Sequence, residues 1–414
     1  MAGKCELRPA PYHWLIVHAI RSVVRAAATS PPFLIAALAV CISVAFQILL
    51  PVVPVMAERE GPHGVAGAAT AALFIGAVTG ELSTPWLLSW RRSTHLLVAG
   101  QLLTAVPSLV YALPHPAVAA MLAAASARGI GMGVSIVVSV TLLSELTAAH
   151  RRGTSIGYYG LALGAPGIVV PSIGVFLLAR GHAEIDALIA FASGLVGVLF
   201  ALTIPDRPVH IARASTNLVG AIRRPGLLIV FAGFVLTSCS FGGVITYAPV
   251  ALPLNGLGSA AAFLLVLGAA RAASRWLAGV LGDRMPTRIV LIGGVAVSLA
   301  GLVVLALHGG GATVLIAAVA YGAGYGAIQT AVFLAMSERG TRSDAGAISA
   351  LWNSGIDLGA SFGGTLIGIA AASYGYVTAA WVLPVMVATS LPLFLRGRQT
   401  SAPAAETETL ITSL

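Results

Sequence analysis

Arg275-Trp-Leu-Ala-Gly-Val-Leu-Gly-Asp-Arg-Met-Pro-Thr-Arg288 decides how this chain is read. An apolar helical run passes Gly279 and Gly282 and stops abruptly at Asp283-Arg284, and a second apolar run begins directly after Arg288. A short charged elbow between two apolar segments is what a tight turn between membrane spans needs. The charges are solvated where the chain leaves lipid, and the glycines let a neighbouring helix come close.

The composition extends that reading to the whole sequence. Of 414 residues, 58% are hydrophobic and only 9% are charged, with mean hydropathy +0.94. A soluble domain carries about 25% charge, so this chain has too little polar surface to face water. At about 20 residues per span, twelve spans with short loops use nearly the whole length and leave no room for a large soluble domain. The net charge of +9 comes almost wholly from arginine, Lys4 being the one lysine. In a soluble protein that charge would suggest nucleic acid; here it is a topology signal and no nucleic-acid partner is expected. Cys5, Cys41 and Cys239 are scattered and make neither a metal spacing nor a disulfide framework.

Apolar runs fall at roughly 33–55, 65–90, 94–113, 117–143, 154–179, 183–204, 226–250, 257–282, 288–307, 312–336, 345–371 and 374–395. Lipid leaves only helices or closed barrels, and these runs lack period-two alternation, so they are read as helices. With the N-terminus inside, the inner loops and tails collect Lys4 and most of the arginines, among them Arg91, Arg92, Arg151, Arg152, Arg284, Arg288, Arg339 and Arg396. The outer loops hold only Arg59 and Arg180. The asymmetry places both termini in the cytoplasm of a multi-pass cell-membrane protein. Residues 1–30 are too polar to span and read as an amphipathic segment lying on the inner interface. The chain then divides into a six-helix bundle (31–204), a polar linker (205–225), a second six-helix bundle (226–396) and a cytoplasmic tail (397–414).

The two bundles repeat. Arg128-Gly-Ile-Gly-Met-Gly133 recurs as Tyr321-Gly-Ala-Gly-Tyr-Gly326, Ser144-Glu145 as Ser337-Glu338, and Gly153 as Gly346, all at one offset of 193 residues. A shared offset across separate features argues for two halves related by an axis along the membrane normal.

The elbow Gly279-Val-Leu-Gly-Asp-Arg284 resembles the loop signature of the major facilitator superfamily, found between the second and third helix of a six-helix half. The Gly/Pro-rich run Gly160-Leu-Ala-Leu-Gly-Ala-Pro-Gly-Ile-Val-Val-Pro-Ser-Ile-Gly174 resembles the fifth span of its antiporter and efflux members. The run Trp352-Asn-Ser-Gly-Ile-Asp-Leu-Gly-Ala-Ser-Phe-Gly-Gly364 resembles bacterial arabinose-efflux-like and drug-efflux permeases. The first-half loop departs from the pattern, with Ser89 where an aspartate is expected, and in span 4 Ala125 occupies the usual arginine position while Arg128 directly precedes Gly129. The resemblance implies an all-helical, twelve-span fold that carries a small molecule by alternating access, with protons as the coupled ion.

An ionisable side chain costs at least ~2.5 kcal/mol at the centre of a span. Glu81, Arg128, Arg271, Arg275 and Asp357 are the candidates, read as the charged lining of a central cavity. Asp357 and Glu81 are expected to couple to protons, since burial raises a carboxylate's pKa and a nearby arginine lowers it. Arg271 and Arg275, one turn apart, share a face and require an anionic neighbour: Asp357, Glu81 or an anionic substrate. Gln47, Arg128, Tyr158, Tyr159, Arg271, Gln329, Trp352 and Asn353 are the expected substrate-binding residues, in a mostly apolar cavity suited to amphipathic compounds. Asp283, Arg284, Glu145, Glu338, Arg151 and Arg152 are the expected cytoplasmic gate. By the resemblance, Asp283 faces the positive N-terminal end of a helix near Arg151–Thr154.

The glycine pentads lie within apolar helices rather than after strands, and no phosphate-binding Gly-Lys-Ser/Thr loop is present, so nothing points to an enzyme or to ATP as the drive. No cofactor or metal is expected. The sequence therefore predicts a secondary active transporter exporting a drug or metabolite, expected to work as a monomer in the lipid bilayer. Uptake of a nutrient or organic anion, or a receptor role without transport, are the alternatives.

Overall fold

The computed structural model describes residues 30–147, 152–205, 225–340 and 345–396. The expected amphipathic N-terminal segment, the inter-bundle linker and the tail lie outside these residues. Among the described residues the secondary structure is entirely helical. Eleven helices are long and apolar enough to cross a membrane, and the shorter apolar stretch Val382–Arg396 completes a twelfth span.

The spans are α1 Pro31–Glu60, α2 Val65–Trp90, α3 Ser93–Ala112, α4 Val118–Leu146, α5 Thr154–Ala179 and α6 Ala183–Thr203 in the first half. In the second half they are α7 Gly226–Ala251, α8 Ala260–Gly282, α9 Thr287–Ala306, α10 Gly311–Arg339, α11 (345–374) and α12 (376–396). Proline sets where they break. Pro51 and Pro54 withhold the N–H groups that the Gln47 and Leu50 carbonyls would accept, and α1 is interrupted between Gln47 and Val52. Pro166 restarts α5 after a break at Ala165, and α3 tightens into a 3-10 turn over Val106–Ala112, where Pro107 lies. Pro384 and Pro392 divide α12 into short pieces. The turn from α11 to α12 is made by Gly375 at φ 74°, ψ 163°, a conformation that only glycine adopts without strain.

The internal repeat holds in three dimensions. In α4, Gly129 and Gly133 pack against the α2 backbone at Leu73 and Ala77, while Gly131 packs against Gly100 and Thr104 of α3. In α10, Gly322 and Gly326 meet Leu267 and Arg271 of α8, while Gly324 meets Gly294 and Ser298 of α9. Each motif glycine therefore touches the helix that corresponds to its partner in the other half. A Cβ at any of these positions would run into backbone or a close side-chain oxygen, so the small residues set how near the helices come.

The halves touch chiefly along two helix pairs, α2 with α11 and α5 with α8, and α7 adds contacts to α1 and α2. On the face that carries Arg59 and Arg180, the contact is close. Gly64 and Gly67 lie against Gly364 and Gly368. The Thr246 hydroxyl donates to Thr70 at 2.7 Å, and the Ser172 hydroxyl donates to the Ala261 carbonyl at 2.8 Å. On the arginine-rich face the same helices diverge. Gly157, Gly160 and Gly164 of α5 and Gly279 of α8 have nothing within 4 Å of an added Cβ, and Trp276 and Leu161 are exposed. The molecule is sealed on one face and splayed on the other.

Candidate functional site

Four ionisable residues of the spans, Glu81, Arg271, Arg275 and Asp357, lie toward the end of that seal. Taking 1.5 Å per residue, Glu81 lies ~14 Å along α2 from Trp90 and Asp357 ~18 Å along α11 from residue 345, both measured from the arginine-rich face. Ser354, one turn before Asp357, donates its hydroxyl to Glu81 Oε2 at 3.0 Å across the two halves. The Asp357 carboxyl is close enough to Glu81 for their charges to act on each other. Both side chains are buried, at 9% and 8% exposure. Two carboxyls from opposite halves are thus within electrostatic reach of each other, with a serine hydroxyl from the second half holding the first.

The anionic neighbour expected for Arg271 and Arg275 is therefore not this pair. Among the described residues, no carboxylate pairs with either guanidinium. Arg271 lies over the Phe241 ring at 5.1 Å and is flanked by Tyr325 and Tyr321. Tyr325 stacks on Phe241 at 5.2 Å and on Tyr321 at 5.9 Å, and its hydroxyl donates to Ser238 at 3.1 Å. Tyr325 is within electrostatic reach of both Arg271 and Asp357. Arg275 lies over Trp352 at 5.4 Å. The Trp352 indole N–H donates to the Gln329 carbonyl at 2.8 Å and its ring stacks on Phe234 at 6.1 Å. A cation over a ring gains about 0.5–2 kcal/mol, whereas taking an ion out of water costs several. Aromatic faces alone do not compensate two guanidinium groups once water is excluded.

Arg271 also reaches the first half. A Cβ on Gly167 would sit 3.1 Å from Gln47 Nε2 and 3.6 Å from Arg271 Nη2, so the three positions converge. Gln47, Leu50, Gly167, Phe241, Leu264 and Arg271 enclose a cavity of about 10 Å³, room for roughly one water molecule.

Other expected site residues lie elsewhere. Arg128 is buried inside the first half, its Nη2 donating to the Ala45 carbonyl at 2.7 Å and its guanidinium 5.7 Å from the Tyr111 ring. It thus ties α4 to α1 and α3 rather than facing the other half. Tyr159 is buried in the hydrophobic core and Tyr158 is 65% exposed. Gln329 is buried with its side-chain carbonyl lacking a partner among the described residues, and Asn353 donates to Ser349 of its own helix. At the expected gate, Asp283, Arg284 and Glu145 are exposed. Glu338 accepts a hydrogen bond from the Thr287 hydroxyl within the second half. Arg151 lies outside the described residues, as does the Arg152 side chain, so the expected Asp283 contact there falls outside them too.

The sequence marks Tyr321 and Tyr325 only as part of the glycine repeat, although two aromatics at i and i+4 share one helix face. Asp186 was also passed over. It is wholly buried near the start of α6, and neither carboxyl oxygen has a hydrogen-bond partner among the described residues.

A sequence profile described as Major Facilitator Superfamily matches residues 35–364 and 268–412. The chain belongs to that superfamily. Solved structures of the superfamily fold agree. The nucleoside transporter NupG aligns with TM-score 0.72 at 12% identity, over 89% of this chain and 100% of its own. A peptide transporter (POT) in complex with alafosfalin aligns with TM-score 0.67 at 12% identity, over 90% and 97%. The human organic anion transporter MFSD10 aligns with TM-score 0.60 at 13% identity, over 88% and 98%. At such identities the likeness is one of fold. No curated protein sequence matches the chain.

Proposed function

We propose that this superfamily member exports a small molecule in exchange for protons, by alternating access between two six-helix halves. The observation that carries the reading is the Glu81–Asp357 pair, one carboxyl from each half, lying where the seal between the halves gives way to the open mouth. Two carboxyls in one buried site hold at least one proton between them, because both cannot be ionised cheaply. When the halves rock, the pair separates, each carboxyl meets a different environment, and the proton is released or replaced. One proton crossing ~100 mV supplies ~2.3 kcal/mol, enough for a substrate gradient of roughly 40-fold.

The arginine-rich face is assigned to the cytoplasm on the bias of Arg91, Arg92, Arg284, Arg288, Arg339 and Arg396 against Arg59 and Arg180. The splayed arrangement is then the inward-open state, ready to load from the cytoplasm. Closing that side would bring Asp283, Arg284, Glu145 and Glu338 toward Arg151 and Arg152 as a gate. Uptake by the same pathway run in reverse is the competing reading.

The deciding experiment uses proteoliposomes holding the purified chain and an internal pH dye. Adding a substrate found by screening an efflux-deficient host should drive proton movement opposite to substrate. Proton movement in the same direction as substrate would establish uptake by symport, and none at all would remove the proton from the mechanism.

A further inference from the structure

Arg271 lies at the midpoint of α8, and Arg275, one turn nearer the arginine-rich face, is exposed. Neither has a carboxylate partner among the described residues. The acidic groups nearest that depth are Glu81 and Asp357, whose charges act on each other across the two halves, with Ser354 donating to Glu81. Around the two guanidiniums stand Phe241 from α7, Tyr325 from α10 and Trp352 from α11, with Gln47 and the bare backbone of Gly167 opposite, in the other half.

We infer that the transported molecule is an amphipathic organic anion. Its carboxylate, sulfonate or phosphate group is held jointly by Arg271 and Arg275, and its ring or apolar body lies against Phe241, Tyr325 and Trp352. Guanidinium forks match the paired oxygens of such groups, and the ring faces supply apolar contact at fixed orientation. The same two charges repel an organic cation, so cationic drugs are excluded. Both halves contribute to the site, as a molecule carried across the midplane requires. Closure of the arginine-rich side would enclose two like charges together; an anion between them removes that repulsion, so loading and closing are linked. This inference rests on the transporter reading above and names its substrate class.

The test uses the purified full-length protein in detergent and three probes of matched shape: 4-phenylbutyrate, its primary amide and 4-phenylbutylamine. The acid should raise the melting temperature and quench tryptophan fluorescence through Trp352, and the amide and amine should do neither. Arg271→Gln and Arg275→Gln should each weaken the acid at least tenfold, the double variant should abolish its effect, and Arg271→Lys should restore part of it. Arg180→Gln, at the opposite face, should leave binding unchanged.

The inference is overturned if the amide or the amine binds as well as the acid, or if the monodisperse double variant keeps the wild-type response. It is equally overturned if none of 4-phenylbutyrate, naphthalene-2-sulfonate and phenyl phosphate binds. If the double variant does not fold, the wild-type contrast between acid and amide decides alone. Proton movement in proteoliposomes separates the two readings. Movement driven by a neutral compound, with anions inert, would sink the anion class and leave the transporter, whereas a bound anion that moves no proton would leave the anion class and remove the proton coupling.

Discussion

Replacing Gly67 with alanine should drive the sealed face open. A Cβ at Gly67 would press into the Gly364 carbonyl oxygen and lie 2.7 Å from the Gly368 Cα and 2.9 Å from its nitrogen. All three are backbone atoms, so no side chain can turn aside, and α2 and α11 must part by about an ångström to reach ordinary van der Waals contact. Overpacking of this kind costs about 1–3 kcal/mol. Alanine also favours a helix over glycine by about 1 kcal/mol, but α2 is helical whichever face is open, so that gain cancels. At 1.4 kcal/mol per tenfold, the ratio of sealed to open molecules should fall roughly 5- to 150-fold.

Spin labels at Arg59→Cys and Leu257→Cys, both exposed on the sealed face in opposite halves, read this directly once Cys5, Cys41 and Cys239 are replaced. The distance distribution should gain a longer component in Gly67→Ala. Gly293→Ala, with nothing within 4 Å of its added Cβ, should leave the distribution alone. Identical distributions for Gly67→Ala and the parent would refute the reasoning, because the glycine contact would then not hold the halves together.

Asp357→Asn and Glu81→Gln should each abolish uphill, proton-driven transport while leaving substrate exchange down its gradient. Retention of uphill transport by either variant removes that residue from the coupling. Ser172→Ala deletes the hydrogen bond to the Ala261 carbonyl without steric conflict. It should shift the same spin-label ratio by less than Gly67→Ala, since a neutral hydrogen bond contributes about 0.5–1.5 kcal/mol. Arg128→Ala leaves the Ala45 carbonyl without its donor and opens a void between α1, α3 and α4. Thermal unfolding in detergent should show a loss of roughly 3 kcal/mol, with substrate affinity in the surviving protein unchanged within twofold.

Depth in the membrane was legible in the sequence; direction around each helix was not. Counting residues along each span places Arg271 and Asp357 at similar depth with Glu81 somewhat shallower, and the Ser354–Glu81 hydrogen bond fits that order. Which of them meet depends on how α2, α8, α10 and α11 are rotated, and in a helix that is apolar all round no polar face announces the rotation. Hence the sequence leaves Asp357, Glu81 and an anionic substrate all open as partners of the arginines, while the fold brings the two acids within reach of each other. The glycine pentads were readable as a repeat because equal spacing survives in one dimension. Their use, one glycine pair toward one neighbour and the middle glycine toward another, emerges only from packing. The breaks at Pro51, Pro166 and Pro384 follow from the missing N–H and could have been marked in advance, whereas the burial of Asp186 so near a span end could not.

The bare stretch of α5, Gly157, Gly160 and Gly164, has a counterpart in the glycines that already meet across α2 and α11. Both are lined by glycine, and the side chains of the shut face add neutral hydrogen bonds, Thr246 to Thr70 and Ser172 to the Ala261 carbonyl. If the open mouth closes on glycine as the shut face has, the molecule exchanges one seam for another of like kind, and its two end states stay nearly isoenergetic. A carrier built this way is tipped by small loads, such as the proposed proton or anion, because only a few hydrogen bonds must give way before it turns over.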